Sequence, residues 1–186
     1  MLFQKKQNKK IKKWEVIVLL VLISVGILFK IYQNHYPKNK ILLGDDILNV
    51  LVSDTESHKF KGLSDRENLS DYDGMLFLFS NTSQHAVVMR KMNFPIDIVW
   101  VKTIVKDGDS CELSKFSLRK FVSGIYMGCT GEIIDIAPNV QIEPGKQEKE
   151  LIPYFSRESS SVVLELPAGF ALENGLKIGD RYEFLD

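Results

Sequence analysis

The chain has 186 residues, 24 Lys+Arg against 24 Asp+Glu and only two cysteines, which leaves room for one ordinary domain plus an appendage. Its net charge of zero conceals two opposed parts: nine lysines and one glutamate up to Lys40, then fifteen basic residues against twenty-three acids. So acidic a remainder argues against a nucleic-acid partner, because neutralising phosphate needs a basic face.

Six lysines and no acid occupy residues 1–13, ahead of an apolar run over 16–29 that is broken only by Ser24 and Gly26. Trp14 and Tyr32 stand at its ends, where amphipathic aromatics anchor to headgroups, and Lys30 is placed to snorkel. Residues 14–32 are long enough for one bilayer crossing. A cleaved signal peptide has the same basic and apolar regions, but the residues from Lys30 to Tyr36 offer no small-x-small cleavage site. The reading is a retained signal anchor in the cell membrane. Its basic tail stays cytoplasmic, residues 33–46 form a linker, and residues 47–186 form an extracytoplasmic domain.

Within that domain, residues 47–52 are the first predicted strand. Asp54 suits the N-cap of a short helix that ends at Gly62, with Phe60 and Leu63 as its core contacts. Residues 75–79 read as a buried strand and 86–89 as its antiparallel partner. Residues 96–101 read as a further strand, opened by Pro95 where a missing N–H does least harm. Residues 103–129 look like a hairpin-like excursion. An even cysteine count in an exported domain suggests a Cys111–Cys129 disulfide there, with unlinked thiols as the alternative. Strands follow at 132–136, 161–166 and 182–185, with a polar loop over 138–150 and a short helix from Pro167 to Gly175. Short strands, brief helices and frequent turns argue a mainly β domain, a small closed or partly open barrel.

Several groups of residues in fixed order resemble the DUF192 or UPF0127 family of uncharacterised bacterial and archaeal proteins. They are Ser53-Asp54-Thr55, Gly62-Leu63-Ser64 with Arg66, Gly74-Met75-Leu76-Phe77 with Phe79, Met89-Arg90, Pro95-Ile96-Asp97-Ile98, Val163 to Gly169, and Gly175 to Asp180. The resemblance implies a compact, mainly β fold with short helices, frequently behind an export signal, and it implies no activity. The chain departs from the family pattern twice. Val87-Val88 stands where the family usually has Phe-Trp, and an insertion at about 103–130, which carries both cysteines, stands where relatives make a tight turn.

The residues offer little for catalysis. His35, His58 and His85 are scattered without ligand spacing, and neither a G-x-S-x-G elbow nor a phosphate-cradling glycine loop occurs. No metal and no cofactor are expected. Met89-Arg90-Lys91 is either a set of solvated or paired charges at a strand end or an anion site beside an apolar wall. Asp97 lies in a strand with two apolar faces, so its carboxylate needs Arg66, Arg90 or backbone N–H groups, for which those near Gly62 are candidates. Three readings follow. The leading one is a binding or accessory module for a small anionic ligand or envelope component, using Arg66, Met89, Arg90 and Asp97. The second is an envelope-polymer hydrolase or transferase that uses Asp97 with Asp54 or Glu165. The third is a structural envelope protein acting through partners. A partly apolar pocket beside Arg90 and Asp97 would favour the first two, and a surface without a cleft the third.

Overall fold

The structure, a computed structural model, describes residues 12–33, 35–104 and 130–185. They form two units, one up to His35 and one from Tyr36 onward. The Cys111–Cys129 pair and nearly all of the insertion lie outside the described residues.

The first unit is a helix, α1 (Lys13–Gln33), whose 21 residues span about 30 Å, the thickness of a bilayer's hydrocarbon core. Its stretch Lys13–Ile31 has a mean hydropathy of 2.4 and buries nothing, so by length and composition it could cross a membrane. A signal sequence near an N-terminus has the same character. Glu15 in the first turn and Lys30 in the last both complement the helix dipole.

The second unit is a closed seven-stranded barrel. Its strands in chain order are β1 (Lys38–Leu43), β2 (Asp46–Ser53), β3 (Gly74–Ser83), β4 (Ile96–Ile104), β5 (Thr130–Val140), β6 (Ser160–Pro167) and β7 (Arg181–Leu185). Around the barrel they run β1-β2-β3-β6-β4-β5-β7, and β7 pairs with β1 to close it. Every pairing is antiparallel except β2 with β3. A parallel pair needs a crossover. Here it consists of a short helix, α2 (Glu56–Lys61), and the loop up to β3. Thr55 caps α2 by accepting from His58 N at 3.1 Å, one residue after the expected cap Asp54. A second short helix of this unit, α3 (Phe170–Glu173), follows β6.

Strand alternation divides the apolar residues into two cores. Leu76 and Leu78 of β3, Val99 and Val101 of β4 and Val162, Leu164 and Leu166 of β6 fill the barrel. Met75 and Phe77, Ile98 and Trp100, and Val163 point outward instead. Leu63, Leu69, Met89 and Met92 cover them from the crossover and from the segment before β4. The β3-β6-β4 part of the wall is therefore buried on both faces.

Four expectations change. Residues 38–43, assigned to a linker, form β1, with Ile41 and Leu43 in the barrel core. Residues 86–89 make no strand; Val87 forms only a bridge with Tyr154. Phe60 is 63% exposed, and His58 is the buried residue of α2. Asp97 meets neither Arg66 nor Arg90, nor the backbone near Gly62. It is fully buried on the inner face, where its Oδ1 accepts from Asn139 N (2.7 Å) and Gly169 N (3.0 Å) and its Oδ2 accepts from Ala171 N (2.8 Å). The carboxylate thus fastens the start of α3 and the end of β5 to the end of the barrel.

Asp97→Asn keeps the shape but leaves one oxygen where two are needed, and its amide meets a backbone donor. A loss of about 3 kcal/mol is expected, the scale of hydrogen bonds to a charged group left unmade, and urea denaturation would measure it.

Candidate functional site

The described part of the barrel unit carries a cavity of about 530 Å³ between α2, the turn after it, the segment 86–92 and the outer face of β3 and β6. This lies within the size range of small-ligand pockets. Phe77 and Val163 supply its apolar base, Val87 and Met92 a side wall, and Phe60 and Phe79 stand nearer the rim. Lys59, Lys61 and Arg90 bring positive charge, and Glu56 and Glu165 bring carboxyl groups.

Local sequence explains how these walls are held. Gly62 ends α2 with φ of 48°, and a Cβ there would sit 3.2 Å from the Phe77 ring, so the helix end presses directly on the cavity base. Gly74 allows β3 to approach β6, since a Cβ at that position would fall 2.7 Å from the Glu165 carbonyl oxygen. The 62–66 turn is stitched to the 90–93 segment by Ser64 Oγ donating to Arg90 O (2.7 Å), Asp65 N to Lys91 O (2.9 Å) and Asn93 Nδ2 to Arg66 O (3.0 Å). On the far side, Gln84 Nε2 donates to Ser156 O (3.0 Å), and Arg157 is bound through both backbone and side chain to Asp135 of β5. Burial alone would raise the Asp135 pKa, but the hydrogen bonds and charge of Arg157 hold it below the usual carboxylate range.

Arg90 joins three segments at the cavity. Its guanidinium lies 4.0 Å from the centre of the Phe60 ring, donates from Nη1 to Phe60 O, and forms an ion pair with Glu148 through Nη2. Its Nε is buried with no hydrogen-bond partner. Lys59 is engaged similarly, pairing with Glu56 at 2.9 Å and lying 4.9 Å over the Phe79 ring.

Glu165 is the unusual group. It is 7% exposed, lines the cavity, and its Oε2 is buried without a partner. Its cross-strand neighbours are Met75 on β3 and Ile98 on β4, both fully buried. Desolvation in that setting pushes its pKa up to about 8. Tyr36 titrates above its ordinary value first because it is buried, with the charge of Glu165 adding to the effect and Arg66 opposing it. Arg66 lies 5.3 Å from the centre of the Tyr36 ring, which stacks on His58.

Of the expected site residues, Arg90 lines the cavity. Met89 is packed in the outer core, Arg66 sits over Tyr36, and Asp97 faces the barrel interior. Asp54 stands 3.5 Å from His58. Asp97 and Glu165 belong to opposite faces of the sheet, since Asp97 pairs with Leu166 and Ile98 pairs with Glu165. The two-carboxylate arrangement expected of a hydrolase is therefore not assembled from Asp97 and Glu165. Lys59, Lys61, Phe60, Phe77 and Phe79 were not expected at a site, and Glu165, named as a catalytic partner of Asp97, carries inside Val162-Val163-Leu164-Glu165-Leu166 the same signal that marked Asp97. Among the described residues no group of three or more His, Cys, Asp or Glu is placed to hold a metal ion.

The DUF192 model, described as "Uncharacterized ACR", matches residues 40–113. This DUF192 match names the family that the ordered motifs resemble, and it runs from Lys40 within β1 through β4 and takes in most of the residues that line the cavity. The fold is similar to that of a protein of unknown function from Novosphingobium aromaticivorans DSM 12444, with a TM-score of 0.56, 21% identity, and coverage of 78% of this chain and 84% of that one. It is also similar to a "putative transcription regulator" from Sinorhizobium meliloti 1021, with a TM-score of 0.57, 25% identity, and coverage of 80% of this chain and 95% of that one. No curated protein matches the chain.

The raised pKa of Glu165 has a consequence for stability. The folded chain holds a proton that the unfolded chain releases near pH 4.5, so this contribution is complete below that pH and lost as the pH rises through about 8. Stability should fall between those values with a slope of up to about 1.4 kcal/mol per pH unit from this group. Glu165→Gln should remove that slope in urea denaturation at a series of pH values.

Proposed function

We propose that the chain is a binding module for a small anionic ligand, held at a membrane by α1 with its barrel on the extracytoplasmic side. One observation carries the binding reading: two residues that line the cavity, Arg90 and Glu165, each hold a buried polar atom with unfilled hydrogen-bonding capacity, Nε and Oε2. Orphaned buried groups are costly in a folded protein, and a ligand that met these two would relieve that cost. The surroundings favour an anion. Lys59, Lys61 and Arg90 line the cavity against the single ionised acid Glu56 in its lining, with Glu148 paired to Arg90, and Glu165 in its neutral form adds no negative charge at neutral pH. Arg90 is the anchoring residue, its planar fork already braced against Phe60.

Thermal unfolding of the full chain in detergent with a panel of small carboxylates and phosphates tests this reading. A ligand present at a hundred times its Kd stabilises by about 2.7 kcal/mol. Arg90→Met should weaken that ligand at least tenfold, and Arg90→Lys should fall between. Shifts of equal size in wild type and Arg90→Met would overturn the assignment.

The membrane reading rests on the apolar α1 and on six lysines ahead of it, which favour retention of that side in the cytoplasm. Protease added to spheroplasts should digest the barrel. Protection until lysis would overturn this topology.

A further inference from the structure

Resting on the anionic-ligand reading, we infer that the ligand is two-ended: an anionic group meets Arg90, and a carbonyl or carboxylate oxygen at the other end accepts a hydrogen bond from Glu165 in its acid form. The chemical class is a dicarboxylic or oxo acid with a short apolar middle. The argument starts from what surrounds Glu165. Across the sheet it has Met75 and Ile98, neither of which offers a hydrogen bond or a charge. Val163, next but one along β6, lines the same cavity. α2 contributes Glu56, Lys59 and Lys61 to the lining, and the 86–92 segment contributes Arg90. Lys59 pairs with Glu56, and Arg90 pairs with Glu148. Tyr36 is close enough to feel the charge of Glu165, with its own hydroxyl buried and unpartnered, His58 stacked on its ring and Arg66 over it.

A carboxyl group in so apolar a setting favours its neutral form, which has one O–H to donate. Burial that moves its titration to about pH 8 keeps this donor in place at neutral pH. The complementary ligand atom is an acceptor. An ammonium would instead require the ionised carboxylate, in a cavity that Lys59, Lys61 and Arg90 also line. Phe77 and Val163 lie at the base of the same cavity and suit a hydrocarbon middle.

The test uses the full chain in detergent and isothermal titration with three matched pairs of probes: succinate and butyrate, adipate and hexanoate, suberate and octanoate. Hexylammonium completes the set. At least one diacid should bind wild type at least about tenfold tighter than its monoacid, the scale of one hydrogen bond to a charged group. Glu165→Leu should erase that preference, so that diacid and monoacid bind alike. Glu165→Gln, whose amide still donates, should keep it. Diacid affinity should be level at neutral pH and fall as the pH rises through about 8 in wild type, losing its advantage over the monoacid, and stay level in Glu165→Gln. Equal binding of diacid and monoacid at every length overturns the two-ended ligand and leaves the anion pocket standing. Tightest binding by hexylammonium, strengthening with pH, overturns it in favour of a cation. Failure of every acid to bind overturns the anion pocket itself, and this inference with it.

Discussion

The wall formed by β3, β6 and β4 is apolar on both faces, and the rest of the unit depends on that constraint. A strand covered on one face only has a solvent side on which to place its polar residues. These three have none where the crossover and the 86–92 segment cover them, so each acid in them must be met by something specific or remain unmet. Asp97 and Glu165 are the two cases. They sit on neighbouring strands, out of phase with each other by one residue, and the pleat sends them to opposite sides. Inside the barrel Asp97 finds three backbone donors. Outside, Glu165 finds methionine, isoleucine and a cavity. One acid became a fastener and the other a vacancy in the hydrogen-bond network, with no difference in residue chemistry large enough to account for it.

Much of this was legible in the chain, for a physical reason. Long β-branched and aromatic runs such as those in β3, β4 and β6 have few alternatives to a buried strand, and the acid inside β4 and the one inside β6 each mark a buried polar position. β1 escaped notice because only Ile41 and Leu43 turn inward, while Lys38, Asn39 and Lys40 read as linker. A barrel-closing strand needs just that much apolar surface. The burial of Asp97 could be read from its neighbours, but its partners could not, because the donors at Gly169 and Ala171 lie more than seventy positions away and are delivered by the turn into α3. Phe60 was expected inside. With His58 as the buried residue of a six-residue helix, its ring is free to carry the Arg90 guanidinium instead.

The cavity walls come from parts of the chain that make little regular structure. The 62–66 turn and the 90–93 segment hold each other through three hydrogen bonds, and the side near Tyr154 is secured to β5 by Arg157 on Asp135. Most of these ties are single polar contacts laid over a rigid sheet. Local opening of the walls therefore costs far less than unfolding of the barrel, which is the usual distribution of stability around a site that must admit something. Glu148, at the surface, reaches Arg90 from a short 3₁₀ turn (Glu148–Glu150) and adds one more such tie.

The pairing of β7 with β1 bears on how the protein is made. Leu43 lies opposite Tyr182 and Lys40 opposite Leu185, so the seam joins the earliest strand of the barrel to the last. As the domain folds, the outer edge of β1 in the first hairpin stays open until nearly the whole domain has followed it. The hairpin and the crossover can therefore assemble early, but the closed barrel forms only once β7 is available to pair with β1. Until then the exposed edge of β1 carries Lys38 and Lys40, charges that discourage another chain from adding to it. The same polar residues that disguise β1 as a linker protect it while it is still half paired.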